Sequence, residues 1–463
     1  MMTTAEIAVV GAGPAGAVIA LQLARLGHRV MLIARRSSSR RHNSESLTPG
    51  VAEQLAFIDA RHVLDAWPPR PTSEIEVRWH SGRYERRPEM KAGYLVDRRR
   101  FDAELVATAG RTGVDILAAD VRSAGRHAGG WRLECDSDDG PLALSSKLLV
   151  DAAGRHGLLP KRWRRRGHRL LAVSGRWRGS GLPSSMRLAS SAQCWAWGAP
   201  TAAEAYEATV FLDPRDFEVG GRSIERRYRT LVDACELLDR AVAAELLGPV
   251  GACDATPYVD LDAVGADFIK IGDAALAVDP LSSAGVQIAI QSGVAGAIAV
   301  HTLLSDGEDG LVAEFWANEL TRRSRQHAAW SAEFYRAAAE RFASSFWRSR
   351  SAIAQPNAQP APRLEQKALP APAQALRLSR SLGFTDAPCI VGCKVESRAV
   401  VTHPASSDPV AFLGETDLPV LLRQIRPGIS AAAVLQSWMR HVDPTRAITI
   451  LSWTWQRGLI KAC

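Results

Sequence analysis

The sequence predicts an α/β fold: a Rossmann-like nucleotide domain interleaved with a second, β-sheet domain, and after them a small α+β module. Three observations predict it. Near the start, the apolar strand Glu6-Ile-Ala-Val-Val10 runs into Gly11-Ala-Gly13-Pro-Ala-Gly16, followed by a helical stretch Ala17–Leu26 and a second strand, Val30-Met-Leu-Ile33. In such a strand–turn–helix–strand unit Gly11 makes the turn, Gly13 lets the backbone approach a pyrophosphate, and Gly16 lets helix pack on strand. Far along the chain, Ile271-Gly-Asp-Ala-Ala-Leu-Ala-Val-Asp-Pro-Leu-Ser-Ser-Ala-Gly285 opens the apolar run Val286–Leu304. Past a proline-rich stretch, short strands and short helices replace the earlier pattern.

Taken in order, the first departure is at the end of the second strand. The fingerprint expects an acid there for the ribose, but the chain has Ala34, then Arg35 and Arg36. Either backbone and Arg35 hold the ribose, or dinucleotide affinity is low, or the arginine pair is idle surface. Ser37–Asn43 is polar and aperiodic and reads as a loop. Glu45-Ser-Leu-Thr-Pro49 introduces a helix start, with Glu45 in its first turn. Ser73–Arg86 alternates through Ile75, Val77 and Trp79 as one or two strands. Tyr94–Arg98 is another strand, and Arg99–Thr112 a helix with Phe101, Leu105, Val106 and Ala109 inward. Val114–Leu117 reads as a parallel strand, and Val121–Ser123 with Trp131–Cys135 as a small meander around Ala128-Gly-Gly130. Leu148-Leu-Val150 then leads into Asp151-Ala-Ala-Gly154, a second approach to the nucleotide.

Lys161–Arg169 is dense with cations, either a solvated loop or a surface for an acidic protein partner or a phosphate. Leu170–Leu212 alternates, and Trp195 and Trp197, two apart on a strand, point the same way. Packing in the sheet core is their default reading, a pocket wall the alternative. Phe268–Ile271 is a short strand ending at Gly272, Pro280 breaks the chain, and Ser282 or Ser283 suits an N-cap. From Val286 the apolar positions fall all round a helix, which is therefore buried, and its start offers free N–H groups to something electron-rich. Asp309–Arg350 is helical, with paired aromatics. The expected boundaries are 1–350 for the interleaved domains (second-domain sheet about 72–95 and 168–260), a linker over 351–385, and a module over 386–463. Within the module, Val395–Val401 and Pro409–Leu413 suggest a hairpin, Leu418–Ile425 a helix, Ser430 the cap of a helix through Arg440, and Pro444–Trp455 another. Strands followed by three short helices suggest a winged-helix-like module. Between Gly414 and Trp438 its cations are Arg423 and Arg426 alone, too few for the phosphate contacts of a DNA-reading helix. Protein recognition by strand addition is favoured instead, with no nucleic-acid partner.

At 463 residues and 46% hydrophobic, the chain exceeds one ordinary domain and can bury a substantial core. The net charge of +8 comes mostly from arginine scattered among acids, which fits solubility and an acidic partner better than nucleic acid. Seven irregularly spaced cysteines argue against a disulfide framework, and Cys389-Ile-Val-Gly-Cys393 lacks the second pair a zinc site needs. The first strand begins within a few residues of Met1, leaving no room for a signal peptide. Val286–Leu304 is glycine-interrupted and tied to the preceding turn, so no membrane span is expected. A soluble, reducing, cytoplasmic setting follows.

Five features in order — Gly11–Gly16, Glu45-Ser-Leu47, Val96-Asp-Arg98 with Phe101-Asp102, Asp151-Ala-Ala-Gly154, and Gly272-Asp273 through Gly285 — carry a resemblance. Over about Ile7–Leu304 the chain resembles flavoprotein monooxygenases of the p-hydroxybenzoate hydroxylase type. Within them it looks most like the tryptophan-halogenase-like branch, which includes hydroxylases of peptidyl tryptophan in tryptophylquinone cofactor biogenesis. The resemblance implies an FAD-binding Rossmann-like domain interleaved with a β-sheet substrate domain, with FAD as cofactor and no metal. It implies Gly11, Gly13, Ala15 and Gly16 at the dinucleotide, Arg98 on the flavin nucleotide and Asp273 on the ribityl chain, with Arg35 the candidate for the ribose among the alternatives left by Ala34. Pro280 and the turn with Ser282 would lie against the isoalloxazine, with Gly285 and Val286 at its N1–C2=O edge. Glu45 becomes the candidate polar side chain near the reacting face, so that Glu45, Pro280 and Ser282 form the catalytic set.

In this superfamily, reduced flavin captures oxygen as a C4a-hydroperoxide, which hydroxylates an electron-rich aromatic or, in halogenases, makes hypohalous acid relayed through a lysine. Three features separate these outcomes. No lysine precedes Lys91, where the relay lysine should lie; Ser282 stands where halogenases have glutamate; and Trp195-Ala-Trp-Gly-Ala-Pro200, which resembles the halogenase tryptophan box, has Ala199 for its isoleucine. Hydroxylation of a tryptophan in a protein or peptide is the expectation, with a halogenase, a flavin-dependent reductase and a non-catalytic maturation scaffold as alternatives. No second nucleotide fold for NAD(P)H is readable, so reduction is transient or uses a separate flavin reductase.

Overall fold

The computed structural model describes residues 2–36, 44–65, 70–71, 75–86, 93–201, 205–217, 224–239, 243–306, 308–352 and 368–463. The loop expected over Ser37–Asn43, and 353–367 of the expected linker, therefore lie outside the described residues. The chain forms two compact units, Met1–Asp309 with Trp316–Ala354, and Gly310–Phe315 with Gln355–Cys463.

The first unit is built on a parallel sheet in the order Asp115–His127, Val30–Ala34, Met2–Val10, Gly140–Asp151, Phe268–Lys270. Its central strands are buried apolar runs, including Ile7–Val10 and Leu148–Val150, as a sheet covered on both faces requires. Asp115–His127 is one strand, where the sequence suggested two pieces. Its first residues, Asp115–Ala118, pair with Val30–Ala34; from Ala119 onward, across an irregularity at Val121/Ser123, it pairs with Gly130–Ser137, which continues into Gly140–Asp151 as an antiparallel meander. A bulge breaks the period-two pattern without ending the strand.

Helix Pro14–Arg25, with nine buried residues, packs on Gly285–Asp306. The stretch Gly285–Ser305 is apolar enough to cross a membrane, but 61% of its most apolar window is buried inside the protein, as befits a core helix. Neither Ser282 nor Ser283 caps it. Pro280–Ser282 forms a 3-10 turn, Ser283 is left-handed (φ 48°), and the helix begins one residue after Ala284. Glu45 is not in a helix first turn either: Ser44–Leu47 is a strand paired with Tyr94–Asp97, and the helix starts at Gly50.

The second sheet runs Ala243–Leu246, Leu171–Ser180, Ala205–Leu212, Cys194–Pro200, Met186–Ser190, Ile75–Arg78, Glu85–Arg86, with Gly251–Asp254 also on Leu171–Ser180. One face packs Trp177 and Tyr206 against Tyr228 and Leu231 of helix Ile224–Ala234. The other packs Trp79, Trp195 and Phe211 against Tyr335 and Trp347 from the helices Asp309–Arg341 and Ser345–Ser351. Trp195 stacks on Phe211 at 3.8 Å and donates Nε1–H to the Tyr335 hydroxyl at 3.3 Å. Core packing is thus what Trp195 does.

In the second unit, Ala375–Leu378, expected within the linker, is a strand between Ile429–Ser430 and Ile460–Ala462. Lys394–Thr402 does form a hairpin, but with Gly383–Val391 rather than with Pro409–Leu413; only Val410 bridges to Val401. Helices Leu418–Leu422, Ala431–Trp438 and Pro444–Gln456 are capped by Asp417, Ser430 and Asp443 and close over Leu376, Leu421, Trp438 and Ile450.

Candidate active site

The carboxyl ends of the parallel strands open into a cavity of about 570 Å³. Its walls come from the turn Val10–Ala15, the strand end Ile33–Arg35, Ala119–Val121 from the middle of Asp115–His127, the loop Ala152–Leu158, Ile271–Asp273, and the helix start at Gly285 and Val286. Gly11 (φ +107°) is forced, because a Cβ there would lie 2.4 Å from the Ala152 carbonyl oxygen. Gly16, outside the lining, is forced for the same kind of reason: its Cβ would meet the Gly11 carbonyl oxygen at 1.8 Å. Helix Pro14–Arg25 has no acid in its first turn and Gly13 as N-cap, and Gly285–Asp306 likewise begins without an acid. Two positive helix ends therefore face one cavity.

Asp151 explains the loop. Fully buried, its carboxylate accepts from the N–H groups of Ala153 (3.0 Å), Leu158 (2.7 Å) and Leu159 (2.9 Å), folding 152–159 back into the wall. Close to Ala34, the neighbouring strand of the sheet places an acid at the cavity. Asp120 lines the cavity and lies 3.1 Å from Arg36 Nε and 3.7 Å from Arg35 Nε. No sequence period links residues 34 and 120; only the pairing of their strands brings them together.

Glu45 and Arg98 meet in the cavity wall. Arg98, 7% exposed, donates to Glu45 and forks onto Asp102 at 3.1 and 3.2 Å. Burial works against its charge, but the two carboxylates outweigh that and hold its pKa above the usual arginine value. Asp273 sits in the 3-10 turn Gly272–Ala274, with Arg155 Nε 3.8 Å away. Burial, with Glu45 nearby, raises the Asp273 pKa; Arg155 opposes the rise. Its backbone is fixed by the Tyr258 hydroxyl, which donates to its carbonyl, and by Ser292 Oγ, which accepts from Gly272 N–H at 3.0 Å.

Gly11, Gly13, Ala15, Arg35, Glu45, Arg98, Asp273, Gly285 and Val286 thus share one cavity, while Pro280 and Ser282 lie outside its lining. Their turn is held by a residue not singled out in the sequence. Asp279 accepts from Leu281 N–H at one oxygen and from the Tyr335 hydroxyl at the other, both at 3.0 Å. The Ser282 hydroxyl donates to the Asp279 carbonyl at 3.0 Å and is used up in the turn. Trp195 and Trp197 do not line the cavity.

A glycine cradle, two helix starts, a buried arginine and a carboxylate around one cavity fit FAD, and together with the fold they define an FAD-dependent oxidoreductase. The model of the tryptophan halogenase family matches residues 75–368, and the chain belongs to that family. Among solved structures it is similar to QhpG, a peptidyl tryptophan dihydroxylase essential for tryptophylquinone cofactor biogenesis: 26% identity, 99% of this chain and 100% of that one, TM-score 0.76. The flavin-dependent halogenase CmlS shares the fold at 19% identity over 100% of this chain and 96% of its own, with a TM-score of 0.77. Tryptophan 2-halogenase of Chondromyces crocatus is 25% identical over 66% of this chain, which spans 63% of that relative's length. The cofactor is FAD.

Proposed function

We propose that this protein is an FAD-dependent monooxygenase that hydroxylates a tryptophan held in another protein or peptide, during tryptophylquinone cofactor biogenesis. The likeness to the peptidyl tryptophan dihydroxylase over 99% of this chain and all of that one carries the reading. Bound FAD, once reduced, supplies activated dioxygen; the chain binds, orients and excludes water. In this reading Gly11, Gly13, Ala15 and the helix start after them hold the pyrophosphate, with Gly16 keeping the helix close enough. Arg35 and Asp120 hold the adenosine end, and Asp273 anchors the ribityl chain. Gly285 and Val286 present N–H groups to the ring edge. Pro280 and Ser282 act as a rigid turn, braced by Asp279 and Tyr335, rather than through a free hydroxyl. Glu45 is held by Arg98 at the cavity wall, and the pair positions polar groups beside the ring. The winged-helix-like module past the linker recognises the protein substrate, and a separate flavin reductase supplies electrons. All seven cysteines are free thiols, which supports a cytoplasmic setting.

The test is co-expression with the products of neighbouring genes and intact-mass measurement of each. A gain of one or two oxygen atoms on a tryptophan, dependent on dioxygen, is expected; turnover of free tryptophan alone overturns the protein-substrate reading, and oxygen-independent product favours a reductase. Halogenation is the second reading, favoured by the family. Against it stand the absence of lysine before Lys91 and Ser282 in place of glutamate. Halide is therefore expected to be neither required nor incorporated, and chlorinated or brominated product in mass spectrometry reverses the choice.

A further inference from the structure

Resting on the reading that the substrate tryptophan is carried by a protein, we propose that the free edge of strand Trp163–Arg165 docks an extended acidic segment of that protein by strand addition. The strand is the edge of a three-stranded sheet with Tyr258–Asp260 and Leu276–Ala277, antiparallel to the former. On either side of it, the Arg162 carbonyl accepts from Leu261 N–H at 2.9 Å, and Arg166 N–H donates to the Pro257 carbonyl at 3.0 Å. Antiparallel alternation then turns the backbone groups of Arg164 inward as well, and those of Trp163 and Arg165 outward, towards the open edge. All three residues are exposed, and Trp163 keeps 53% of its surface accessible.

The charge at this edge selects the partner. Elsewhere exposed arginines hold carboxylates, as Arg111, Arg122, Arg126, Arg229 and Arg398 do. Arg162, just before the strand, holds Asp262 at 2.7 Å. Among the described residues Arg164 and Arg165 have no such carboxylate, and the buried Nε of Arg166 has no hydrogen-bond partner. Cations on an edge strand repel a second copy of the same strand but attract an acidic one. A nucleic-acid backbone would satisfy the guanidinium groups and leave the outward N–H and C=O groups of Trp163 and Arg165 without strand partners.

The edge is also mechanically joined to the FAD cavity. The Trp163 ring packs edge-on against Tyr258 at 4.8 Å, and the Tyr258 hydroxyl donates to the Asp273 carbonyl. Lys161 donates to the Arg155 carbonyl at 2.6 Å, in the loop that forms the cavity wall.

The test uses full-length, FAD-loaded protein and a fluorescein-labelled peptide of alternating glutamate and valine with one tryptophan, read by anisotropy. Binding is expected to weaken about tenfold or more in the Arg164→Glu/Arg165→Glu variant, and on N-methylation of alternate peptide amides, which removes strand pairing without touching charge. The same variant is expected to raise KM for the protein substrate while leaving kcat and FAD content unchanged. Equal binding of methylated and unmethylated peptides, or equal binding by the variant, overturns the docking strand. Peptide binding is read without turnover, so its failure is distinct from failure of the hydroxylase reading, which is wild-type protein adding no oxygen to any protein.

Discussion

Arg98→Ala is expected to destabilise the protein by about 3–5 kcal/mol, because it leaves carboxylates without the buried cation that neutralises them. Arg98 is 8% exposed at its side chain, and it touches Glu45 from one strand and Asp102 from its own helix. Removing it takes the guanidinium from both at once. Asp102, at 16% exposure, then suffers more than Glu45, at 39%, which can turn to solvent. Glu45→Gln should therefore cost only about 1 kcal/mol, and Arg98→Lys should fall between, since an ammonium cannot reproduce the fork. Thermal denaturation of the apoprotein reads this as a fall of roughly 5–10 °C for Arg98→Ala. A melting temperature within a degree or two of wild type would show that the cluster is a surface pair in effect. A double-mutant cycle of Arg98 with Asp102 isolates the coupling.

Asp273→Ala is expected to purify colourless and to bind added FAD roughly tenfold to a hundredfold more weakly, the loss of a hydrogen bond to a charged group worth about 1.5–3 kcal/mol. The fold should survive. The side chain is 46% exposed, and the turn is held through its backbone by Tyr258 and Ser292. Asp273→Asn keeps a hydrogen-bonding side chain and should retain most of the affinity. Wild-type affinity in the alanine variant would remove Asp273 from the ribityl chain. The apoprotein carries a pH signature as well. Although the side chain is reachable from the cavity, the surrounding walls desolvate its carboxylate and raise the Asp273 pKa in the folded state, so the stability it contributes is full below its unfolded value and is lost as pH rises through the folded one. Asp273→Asn should flatten that slope, measurable in denaturant titrations across the mildly acidic range.

What was legible in the sequence was what is local. The Gly11–Gly16 turn, the strand and helix beside it, and the Gly272–Gly285 stretch could be read because their spacing and conformation are set by residues within a few positions of one another. Helix Gly285–Asp306 announced its burial through apolar residues on every side, and Ser430 and the helix it caps were readable for the same local reason. Arg98 and Asp273 were identifiable as site residues by resemblance; who holds them was not.

The tertiary structure decided which distant groups meet. Ser44–Leu47 is a strand because Tyr94–Asp97 offers it a partner, and that pairing is what brings Glu45 onto Arg98. Asp120 comes to lie beside Arg35 and Arg36 because Val30–Ala34 and Asp115–Ala118 are neighbouring parallel strands. Asp279 and Tyr335 lie 56 residues apart and share one hydrogen bond. The hairpin partner of Lys394–Thr402 likewise depended on which edge was open. The sequence by itself determined the nucleotide fold, the family and the glycine cradle, because close approach of backbone leaves no room for a Cβ. Strand order and ion-pair partners came only with the folded chain, because hydrogen-bonded edges and charges find one another through space, with no periodicity along the chain to record the choice.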